Sequence, residues 1–271
     1  MLLSLLALTS AIQAADPADL PPPKEAVVVA VYDGDTFTLD TGQKVRLRGV
    51  NTPELRPPEE YGLEARDSAA RLLLNQKVSL TYGPVTKDGY GRLIASVQVK
   101  ETDIGTHLLE QGLGHIFIIP PDTMDTTLMT SAQAHAKGAN RGIWSTERYK
   151  GKVHITSFHA NAPGDDSNFV NGEYLRVCNV SQEPLELTGY RIADINGRSY
   201  DFPSMLLPSG HTVKVHSGRG RHQKDPKEQL EIYLGSSMPI WNNTHDMATI
   251  YNGFGTIEDR REHAPKTAPK R

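Results

Sequence analysis

The sequence lacks three features that would assign it to common protein classes: paired cysteines, an excess of positive charge and a long apolar run. Cys178 is the only cysteine, so the chain has no internal disulfide and must be stabilised by hydrophobic cores. The formal net charge is -3. Because counterion release contributes little to a protein without excess positive charge, any nucleic-acid binding must come from a local cluster of Arg and Lys. Weak binding that permits turnover fits this composition better than tight storage binding.

The apolar run from Leu2 to Ile12 is too short to span a bilayer. It is followed by Ala14 and Ala15, the small residues that signal peptidase requires before its cleavage site. We therefore expect residues 1–15 to be a signal peptide and the protein to be secreted or periplasmic. No transmembrane segment is expected after the signal is removed. A frayed apolar N-terminus is the alternative.

The length of 271 residues and the 38% of hydrophobic residues favour two domains. Residues 16–25 are rich in proline, which predicts an extended linker without packed structure. The first domain is expected at 26–148 and the second at 152–258, with a connecting linker that begins near Ser145. A basic, disordered tail is expected at 259–271.

The first domain shows strand-like runs and helical patterns in its sequence. The runs are rich in Val, Ile, Thr and Tyr: Val27 to Tyr32, Thr36 to Asp40, Lys44 to Val50, Lys77 to Tyr82 and Leu93 to Val99. Apolar residues at helical spacing occur in Tyr61 to Asn75, Thr102 to Gln111 and Thr127 to Lys137. Five strands with three added helices favour a mainly β fold with α, a five-stranded barrel of the oligonucleotide-binding (OB) type.

The second domain contains short strand-like runs without a competing helical pattern. They are Val153 to Phe158, Glu173 to Val180, Leu185 to Ala193, Thr212 to His216, Glu231 to Leu234 and Met247 to Tyr251. Turn residues such as Asn196-Gly197 separate them. Repeated short strands at this spacing predict an antiparallel β-sandwich.

The most informative segment of the chain runs from residue 28 to residue 54. Its two strand-like runs bring together three carboxylates, one amide and one guanidinium: Asp33, Asp35, Glu54, Asn51 and Arg46. Oxygen donors of this kind bind a hard cation, and a guanidinium beside them can hold a phosphate. The segment therefore predicts a phosphodiesterase site. Calcium is favoured over zinc because the ligands are oxygens and the ten histidines show no ligand spacing. Mg²⁺ and Mn²⁺ are the alternatives.

Each of these motifs also has a purely structural interpretation. Asp33-Gly34-Asp35 is a standard hairpin turn between two strands. Arg46 and Arg48 share one face of an alternating strand, and such a charged face is usually only solvated. Lys87 to Arg92 is consistent with an ordinary polar loop. Their conjunction at strand ends and loops of one barrel favours a functional site over coincidence.

An ordered set of motifs covers residues 26–146. The motifs are Asp33-Gly34-Asp35-Thr36, Val45-Arg46-Leu47, Asn51-Thr52-Pro53-Glu54, Tyr61-Gly62-x-Glu64-Ala65, Tyr90-Gly91-Arg92, Glu110-Gln111-Gly112-Leu113 and Gly142-Ile143-Trp144-Ser145. Together they resemble the staphylococcal nuclease (thermonuclease) family. The resemblance implies a calcium-dependent nuclease that cleaves DNA and RNA by attack of water on phosphorus and leaves a 3′-phosphate.

The resemblance also implies ligands for the metal. Asp35, Asn51 and the carbonyl oxygen of Thr52 would bind the cation. Asp33 fits a position behind these ligands, where it would orient them without binding the metal itself.

The same resemblance implies residues that act on the phosphate. Glu54 would be the general base, and Arg46 and Arg92 would grip the phosphate. Arginine suits this task because its planar guanidinium can bond two phosphate oxygens at once. Further substrate contacts are expected from three residues near the same end of the barrel: Tyr90, Arg48 and Lys87.

The sequence departs from the family pattern at two places. Asn51 stands where the family usually has an aspartate, so the site has one negative charge fewer and we expect weaker or altered metal binding. Ile118 and Pro120 stand where the family places tyrosines that stack on nucleotides. Stacking stabilises binding by about 1–3 kcal/mol per base, so we expect weaker substrate binding as well.

A second set of motifs lies in residues 152–258. It comprises Gly172-Glu173-Tyr174-Leu175-Arg176-Val177-x-Asn179, Leu187-Thr188-Gly189-Tyr190, Tyr200-Asp201-Phe202-Pro203, Leu207-Pro208-Ser209-Gly210 and Trp241-Asn242-Asn243. These resemble the lamin-tail domain, which has an immunoglobulin-like fold, and imply a binding or anchoring accessory without catalytic residues. A basic loop is expected to contact DNA or an anionic surface, with a merely solvated loop as the alternative: Arg219, Arg221, His222 and Lys224.

The sequence as a whole favours an exported, metal-dependent nuclease with a sandwich as accessory domain. The main alternative is a noncatalytic protein that uses the barrel to bind nucleic acid. A surface-attachment protein in which the sandwich is the functional part is a third interpretation. The joint presence of Glu54, Arg46 and Arg92 argues against a pure binding protein, because binding alone needs no carboxylate base beside a phosphate clamp.

Overall fold

The computed structural model describes residues 16–161 and 169–263. The predicted signal peptide lies outside these residues, as does the predicted tail from residue 264 onward. Within the described ranges, no helix is both long enough and apolar enough to cross a membrane.

The first domain is a closed barrel with helices packed around it. Its strands are β1 (Glu25–Val31), β2 (Thr36–Leu39), β3 (Lys44–Leu47), β4 (Val50–Asn51), β5 (Lys77–Lys87), β6 (Leu93–Val99), β7 (Thr102–Asp103) and β8 (His115–Ile116). Its helices are α1 (Gly62–Leu73), α2 (Ile104–Glu110) and α3 (Thr127–Gly138). The sheet order is β3-β2-β1-β5-β6-β7, and parallel pairing of β3 with β6 closes the barrel. The predicted five-stranded barrel with helices is thereby confirmed.

The periodic apolar residues of the sequence form the core of the barrel. Phe37 and Leu39 alternate along β2 and are buried inside it. Ala65, Ala69 and Leu73 lie at helical spacing on α1, and all three are fully buried. Burial of one Leu or Phe side chain contributes about 1.5–3 kcal/mol, so this alternation is enough to set the register of the strands that hold the site.

The proline-rich segment before β1 contacts the barrel instead of forming a free linker. The hydroxyl of Tyr82 donates a hydrogen bond to the carbonyl of Pro23 (2.7 Å). The side-chain amide of Gln43 donates to the carbonyl of Leu20 (3.0 Å). The sequence predicted no packed structure here. It could not show these bonds because both donors lie far away in the chain.

The second domain is a sandwich of short strands. They are β9 (Val153–His159), β10 (Tyr174–Asn179), β11 (Leu185–Glu186), β12 (Arg191–Ala193), β13 (Ser199–Asp201), β14 (Leu206–Leu207), β15 (Thr212–His216), β16 (Leu230–Tyr233), β17 (Asp246–Tyr251) and β18 (Ile257–His263). Two four-stranded sheets have the orders β16-β15-β10-β9 and β13-β12-β17-β18, and β11 pairs with β14. The immunoglobulin-like sandwich predicted from the sequence is confirmed.

Two details of the sandwich differ from the sequence prediction. The strands β15 and β16 pair in parallel, whereas the prediction was wholly antiparallel. The prediction also began a disordered tail at Asp259, but β18 continues to His263 and pairs with β17 along its length. Charged residues in this strand hid it from the sequence analysis. The carboxylate of Asp259 is buried, where it accepts a hydrogen bond from the backbone N–H of Ile155 (2.7 Å).

The two domains pack directly against each other. The expected linker near residue 149 is ordered: the ring of Tyr149 is buried and stacks on His154, with 4.1 Å between ring centroids. The backbone N–H of Ile118 in the first domain donates to the carbonyl of Gly210 in the second (2.8 Å). The backbone N–H of Thr212 returns a bond to the carbonyl of Ile118 (3.1 Å). The barrel and the sandwich therefore share backbone hydrogen bonds.

A group of ion pairs crosses the same junction. The Oε1 atom of Glu59 in the first domain lies 3.0 Å from the Nη1 atoms of both Arg148 and Arg261. Arg261 belongs to β18, so the last strand of the sandwich reaches the barrel. The Nε atom of Arg148 lies 3.7 Å from Asp259, which also lies 2.9 Å from the Nδ1 atom of His154. Ion pairs shielded from water to this degree contribute to stability only while their partners are all present.

Loss of one arginine of this group is expected to destabilise the protein. Arg261→Ala removes a partner of the shielded Glu59 carboxylate, and we expect the free energy of unfolding to fall by about 1–3 kcal/mol. The matched control is Arg260→Ala, since Arg260 is exposed on the same strand. That change should stay within about 0.5 kcal/mol. Urea unfolding of both variants at neutral pH measures the difference, and equal values would contradict this account of the junction.

The effect should also depend on pH. Although burial raises the pKa of Glu59, the charges of Arg261 and Arg148 outweigh it and leave that pKa below its ordinary value. A carboxyl with a lowered pKa stabilises the folded state above its unfolded pKa of about 4.3 and loses this contribution as the pH falls through the folded pKa. The difference between wild type and Arg261→Ala should therefore be largest near neutral pH and shrink below about pH 4.

Candidate active site

The candidate site forms where the β1–β2 turn meets the end of β3. The backbone N–H of Leu47 donates to the carbonyl of Asp35 (2.7 Å), which joins the turn to β3. Thr52 packs on the other side of the turn against Gly34. A Cβ atom at Gly34 would come within 2.7 Å of the Thr52 side chain, so the close approach of the two segments requires glycine here. The site thus depends on contacts within one short stretch of chain.

Asp35 is buried at the centre of the site, with 5% of its surface exposed. Its Oδ2 atom accepts hydrogen bonds from the backbone N–H (2.8 Å) and the hydroxyl (3.0 Å) of Thr52. Its Oδ1 atom accepts from the hydroxyl of Thr36 (3.1 Å) and lies 3.2 Å from the Nε atom of Arg46. These four contacts hold the carboxylate in one orientation.

Arg46 is anchored along its whole guanidinium. Its Nη1 atom donates to the carbonyls of Leu47 (2.8 Å) and Val50 (2.5 Å). Its Nη2 atom donates to the Oδ1 atom of Asn51 (2.9 Å). The guanidinium carbon also lies 5.8 Å from the centre of the Phe117 ring. Because protein oxygens lie against all three nitrogens of the guanidinium, its positive charge is positioned before any ligand arrives.

The amide of Asn51 is oriented by a buried histidine, His115, which no spacing in the sequence singled out. The Nδ1 atom of His115 lies 2.9 Å from the carbonyl of Ile116 and must be the donor, because a carbonyl only accepts. Burial, and then the charge of His154, lower the pKa of His115 to about 3, so the ring is neutral. Its Nε2 atom then accepts from the Nδ2 atom of Asn51 (3.4 Å), and this turns the amide oxygen toward Arg46.

Two further carboxylates give this part of the site an excess of negative charge. Burial, and then the charges of Asp35 and Asp33, raise the pKa of Glu54 to about 7. Burial, and then Asp35, raise the pKa of Asp33 to about 6. The nearby guanidinium of Arg46 opposes both shifts without overcoming them. One positive side chain therefore does not balance the carboxylates around it.

Glu59 fixes the backbone of Glu54, and the sequence analysis missed it. The Oε2 atom of Glu59 accepts a hydrogen bond from the backbone N–H of Glu54 (2.9 Å), and the backbone N–H of Glu59 donates to the carbonyl of Glu54 (2.8 Å). The other oxygen of Glu59 binds Arg148 and Arg261 at the domain junction. No sequence signal marks this carboxylate, because its partners lie about 90 and about 200 residues further along the chain.

A cleft of about 380 Å³ adjoins the carboxylates on the other side of Arg46. Four cationic residues and two carboxylates line it: Arg46, Arg48, Lys87 and Arg92, with Asp88 and Asp122. Phe117 and Ile119 add apolar surface to its wall. A cationic cleft with an apolar wall suits an anion that carries an aromatic group.

Arg92 lines this cleft, and Tyr90 lies beside Arg92. The Nε atom of Arg92 lies 2.7 Å from Asp88, and its Nη1 atom lies 3.5 Å from the hydroxyl of Thr36. The ring of Tyr90 is 77% exposed, and the guanidinium carbon of Arg92 lies 5.5 Å from its centre. The two residues are therefore placed together, with the tyrosine ring open to solvent.

Arg48 is the most shielded arginine of the cleft, and its charge is paired with Asp122. Its Nε atom lies 2.9 Å from an oxygen of Asp122, and its Nη2 atom also donates to the carbonyl of Thr123 (2.6 Å). Only 8% of Arg48 is exposed. The sequence grouped it with Arg46 as a substrate contact, whereas the structure places it in a shielded ion pair with a residue 74 positions away.

The residues that replace the stacking tyrosines lie at the domain junction. Ile118 is buried beside the second domain, where it forms the hydrogen bonds with Gly210 and Thr212. Pro120 is also buried. An exposed tyrosine at position 118 would be incompatible with this packing, because the sandwich covers the segment.

The oxygen atoms at the site suit a hard cation by their chemistry. Within residues 16–161 and 169–263, no three His, Cys, Asp or Glu side chains are arranged to hold a metal, so an amide or carbonyl oxygen has to complete a ligand set. Asp35, Asn51 and the Thr52 carbonyl supply such oxygens. Burial first, and then the neighbouring carboxylates, raise the pKa values of Asp33 and Glu54, so a cation beside these groups would relieve their mutual repulsion. The Oδ1 atom of Asn51 already accepts a hydrogen bond from Arg46, which leaves its second lone pair for a cation.

The structure thus brings Asp33, Asp35, Arg46, Asn51, Thr52 and Glu54 together, and it places Lys87, Tyr90 and Arg92 around the adjoining cleft. Arg48 lies at the cleft wall but is held by Asp122. The chemical role of each residue stays a prediction.

Comparison with known proteins agrees with this arrangement. The family described as Staphylococcal nuclease homologue matches residues 44–146, and the Lamin Tail Domain matches residues 146–264. The first match contains Arg46, Asn51 and Arg92, and the second contains the whole sandwich. The resemblances to both families drawn from the sequence are confirmed.

Three relatives align with the first domain. The thermonuclease of Staphylococcus hyicus is 36% identical over 125 residues, which cover 44% of this chain and 74% of the relative. The thermonuclease of Staphylococcus intermedius is 34% identical over 125 residues with the same coverage. Endonuclease YncB of Bacillus subtilis (strain 168) is 31% identical over 126 residues, or 43% of this chain and 60% of the relative. The closed barrel, the clustered site and these similarities lead to one conclusion. The chain belongs to the staphylococcal nuclease family and carries a lamin tail domain after its nuclease domain.

Proposed function

We propose that this chain is an exported nuclease that requires a divalent cation, calcium in the first place, and hydrolyses DNA and RNA to leave a 3′-phosphate. The observation that supports it most is the position of Arg46 between the carboxylates and the cationic cleft. A phosphodiester in the cleft would meet two guanidiniums on one side and the candidate base on the other. The nuclease names of the relatives agree with this chemistry. Export is supported by the apolar run from Leu2 to Ile12 and the small residues after it.

Arg46 and Arg92 stabilise the phosphate as negative charge grows on its oxygens during attack. Both guanidiniums are anchored before substrate arrives, so little reorganisation accompanies the reaction. A bound divalent cation would add a Lewis acid that polarises a phosphate oxygen. Asp35, Asn51 and the Thr52 carbonyl would hold it, with Asp33 orienting them from behind.

Glu54 accepts the proton of the attacking water in this proposal. Its raised pKa makes it a stronger base than an ordinary carboxylate, and its side chain remains open to solvent on one side. Glu59 holds its backbone through two hydrogen bonds, so the main chain from which the carboxyl extends is fixed. Glu54 is therefore basic, and its backbone is fixed in place.

Replacement of the candidate base tests the proposal directly. Glu54→Gln keeps the size of the side chain but removes its ability to take a proton, and we expect the cleavage rate to fall by about 10²–10⁴. Glu60→Gln is the matched control, because Glu60 is exposed six residues further along. The assay measures cleavage of single- and double-stranded DNA and of RNA by the full chain with calcium or with a chelator. Mass spectrometry of the products identifies the 3′-phosphate.

We expect wild type and Glu60→Gln to cleave nucleic acid. We expect cleavage to be lost when the chelator is added and in the Glu54→Gln variant. Binding of oligonucleotides without cleavage under calcium, magnesium or manganese would contradict the proposal. The noncatalytic binding protein would then be the better interpretation.

A second test concerns the amide at position 51. Asn51→Asp adds a negative charge beside Asp35, and we expect calcium affinity to rise by about tenfold, or about 1.4 kcal/mol. Asn140→Asp adds the same charge at an exposed position and should leave the affinity unchanged. Isothermal titration calorimetry with calcium measures both variants. Unchanged or weaker calcium binding by Asn51→Asp would show that this residue is not part of the cation site.

A further inference from the structure

The sandwich carries a row of aromatic rings across one sheet. His159, Tyr174, His216 and Tyr233 come from β9, β10, β15 and β16, and each is the direct cross-strand partner of the next. Ring centroids are separated by 4.2 Å between His159 and Tyr174, and by 4.7 Å between His216 and Tyr233. Tyr174 and His216 bridge the two pairs at 6.2 Å. Since cross-strand partners share one face of a sheet, the four rings form a continuous line, which we call the ring row.

Two cations stand next to the ring row without a carboxylate of their own. Arg176 and Lys214 are direct cross-strand partners on the same face, two residues along from Tyr174 and His216. Like charges in this position destabilise a sheet. In the part of the chain that the structure describes, no carboxylate oxygen lies within 4.0 Å of either charged group, although each interacts with neutral partners.

Neutral groups hold both cations in place. The Nη1 atom of Arg176 donates to the Oε1 atom of Gln229 (2.6 Å) and to the hydroxyl of Thr212 (3.2 Å). The Nζ atom of Lys214 lies 4.0 Å from the centre of the Tyr174 ring. Burial, and then the neighbouring charge of Arg176, lower the pKa of Lys214, and burial lowers that of Arg176. Two partly desolvated cations side by side favour an anion between them.

Glu231 is a carboxylate on this face, and its charge opposes the lowering of the Lys214 and Arg176 pKa values without overcoming it. It is the cross-strand partner of Lys214, but its Oε2 atom accepts a hydrogen bond from the hydroxyl of Tyr233 (2.7 Å). Its Oε1 atom lies 3.6 Å from the Nε2 atom of His216. The face therefore has two cations against one carboxylate that is bound to the ring row.

This face continues the cleft of the first domain. Thr212, which accepts from Arg176, also donates to the carbonyl of Ile118, the residue next to Phe117 in the cleft wall. Tyr90 of the first domain lies against Arg92. Burial is the main cause that raises the pKa of Tyr174, and the phenol of Tyr90 is the second. Tyr90 therefore lies beside Arg92 of the first domain and near Tyr174 and Arg176 of the sandwich.

The far end of the ring row reaches the basic loop of the second domain. A Cβ atom at Gly220 would come within 2.3 Å of the Tyr233 ring, so the backbone of this loop lies directly on the ring. Arg219 and Arg221 flank Gly220 and are exposed. Positive side chains therefore occur at the cleft, along the sheet and at its far end.

We propose that the face formed by the ring row, Arg176 and Lys214 binds single-stranded nucleic acid beyond the scissile phosphate. Arg176 and Lys214 contact backbone phosphates, and the partly exposed rings of His159, Tyr174 and Tyr233 contact sugars and bases, while the buried ring of His216 connects them. The face compensates for the stacking tyrosines that Ile118 and Pro120 replace in the first domain. This inference rests on the proposed function, because it extends the substrate path of the same site.

The test compares binding of long and short substrates. Lys214→Glu and the milder Lys214→Ala are made in a Glu54→Gln background, which prevents cleavage. Fluorescence anisotropy with calcium then measures affinity for single-stranded oligodeoxynucleotides of about 4 and about 16 nucleotides, the range that OB folds bind. The control is Arg191→Glu. Arg191 also lies over a tyrosine ring, 4.8 Å from the centre of Tyr251, but it belongs to the opposite sheet. Thermal unfolding confirms that each variant is folded.

We expect Lys214→Glu to lower the ratio of long to short affinity by about tenfold, with a smaller fall for Lys214→Ala. The slope of log affinity against log salt for the long substrate should become shallower by about 0.7 for each phosphate that the variant no longer neutralises. Arg191→Glu should leave the ratio at the wild-type value. An unchanged ratio of long to short affinity in folded Lys214→Glu would overturn the inference. It would also be overturned if Lys214→Glu weakened only the binding of anionic phosphatidylserine vesicles and left that ratio unchanged. Cleavage of nucleic acid by the wild-type chain tests the proposed function separately, so failure of one claim is distinguishable from failure of the other.

Discussion

The carboxylate of Glu59 is the contact on which both the domain arrangement and the candidate base depend. One of its oxygens binds two arginines at the junction, Arg148 and Arg261, and the other holds the backbone N–H of Glu54. A shielded carboxylate with unsatisfied oxygens is costly, so these contacts support one another. The lamin tail domain is therefore more than an attached module: its last strand contributes to the shape of the site in the nuclease domain.

The site itself is organised by separation of charge. Arg46 contacts Asp35 and also lines the cleft that contains Arg92. Burial and mutual repulsion raise the pKa values of Asp33 and Glu54, whereas the cleft holds four cationic residues against two carboxylates, Asp88 and Asp122. The acidic group therefore favours a cation, and the cleft favours an anion. A divalent cation and a phosphodiester together would satisfy both, which is why the arrangement fits phosphodiester hydrolysis better than binding alone.

The sequence predicted the fold well because local patterns determine it. Alternation of apolar residues set the barrel strands, and helical spacing of Ala65, Ala69 and Leu73 set α1. The site was predicted for the same reason, since the β1–β2 turn and the end of β3 are close in the chain. The strand β18 was missed because its alternation is masked by charged residues whose partners lie in β9.

Long-range contacts were beyond the reach of sequence patterns. The ion pair of Arg48 with Asp122 joins residues 74 positions apart, and the contact of His115 with Asn51 joins residues 64 positions apart. The ring row becomes visible only when the register of four strands is known. Such contacts have no period and no fixed spacing, so only the folded chain reveals them.

The most direct test of this account is amide hydrogen exchange at Glu54, measured by NMR in wild type and in Arg261→Ala. The account predicts that the Glu54 amide is protected in wild type and exchanges about tenfold faster in the variant, because Glu59 loses a partner from the second domain and holds the amide less firmly. Amides in the barrel core, such as that of Phe37, should exchange alike in both proteins. Equal exchange of the Glu54 amide in the two proteins would contradict the claim that the second domain helps to position the candidate base.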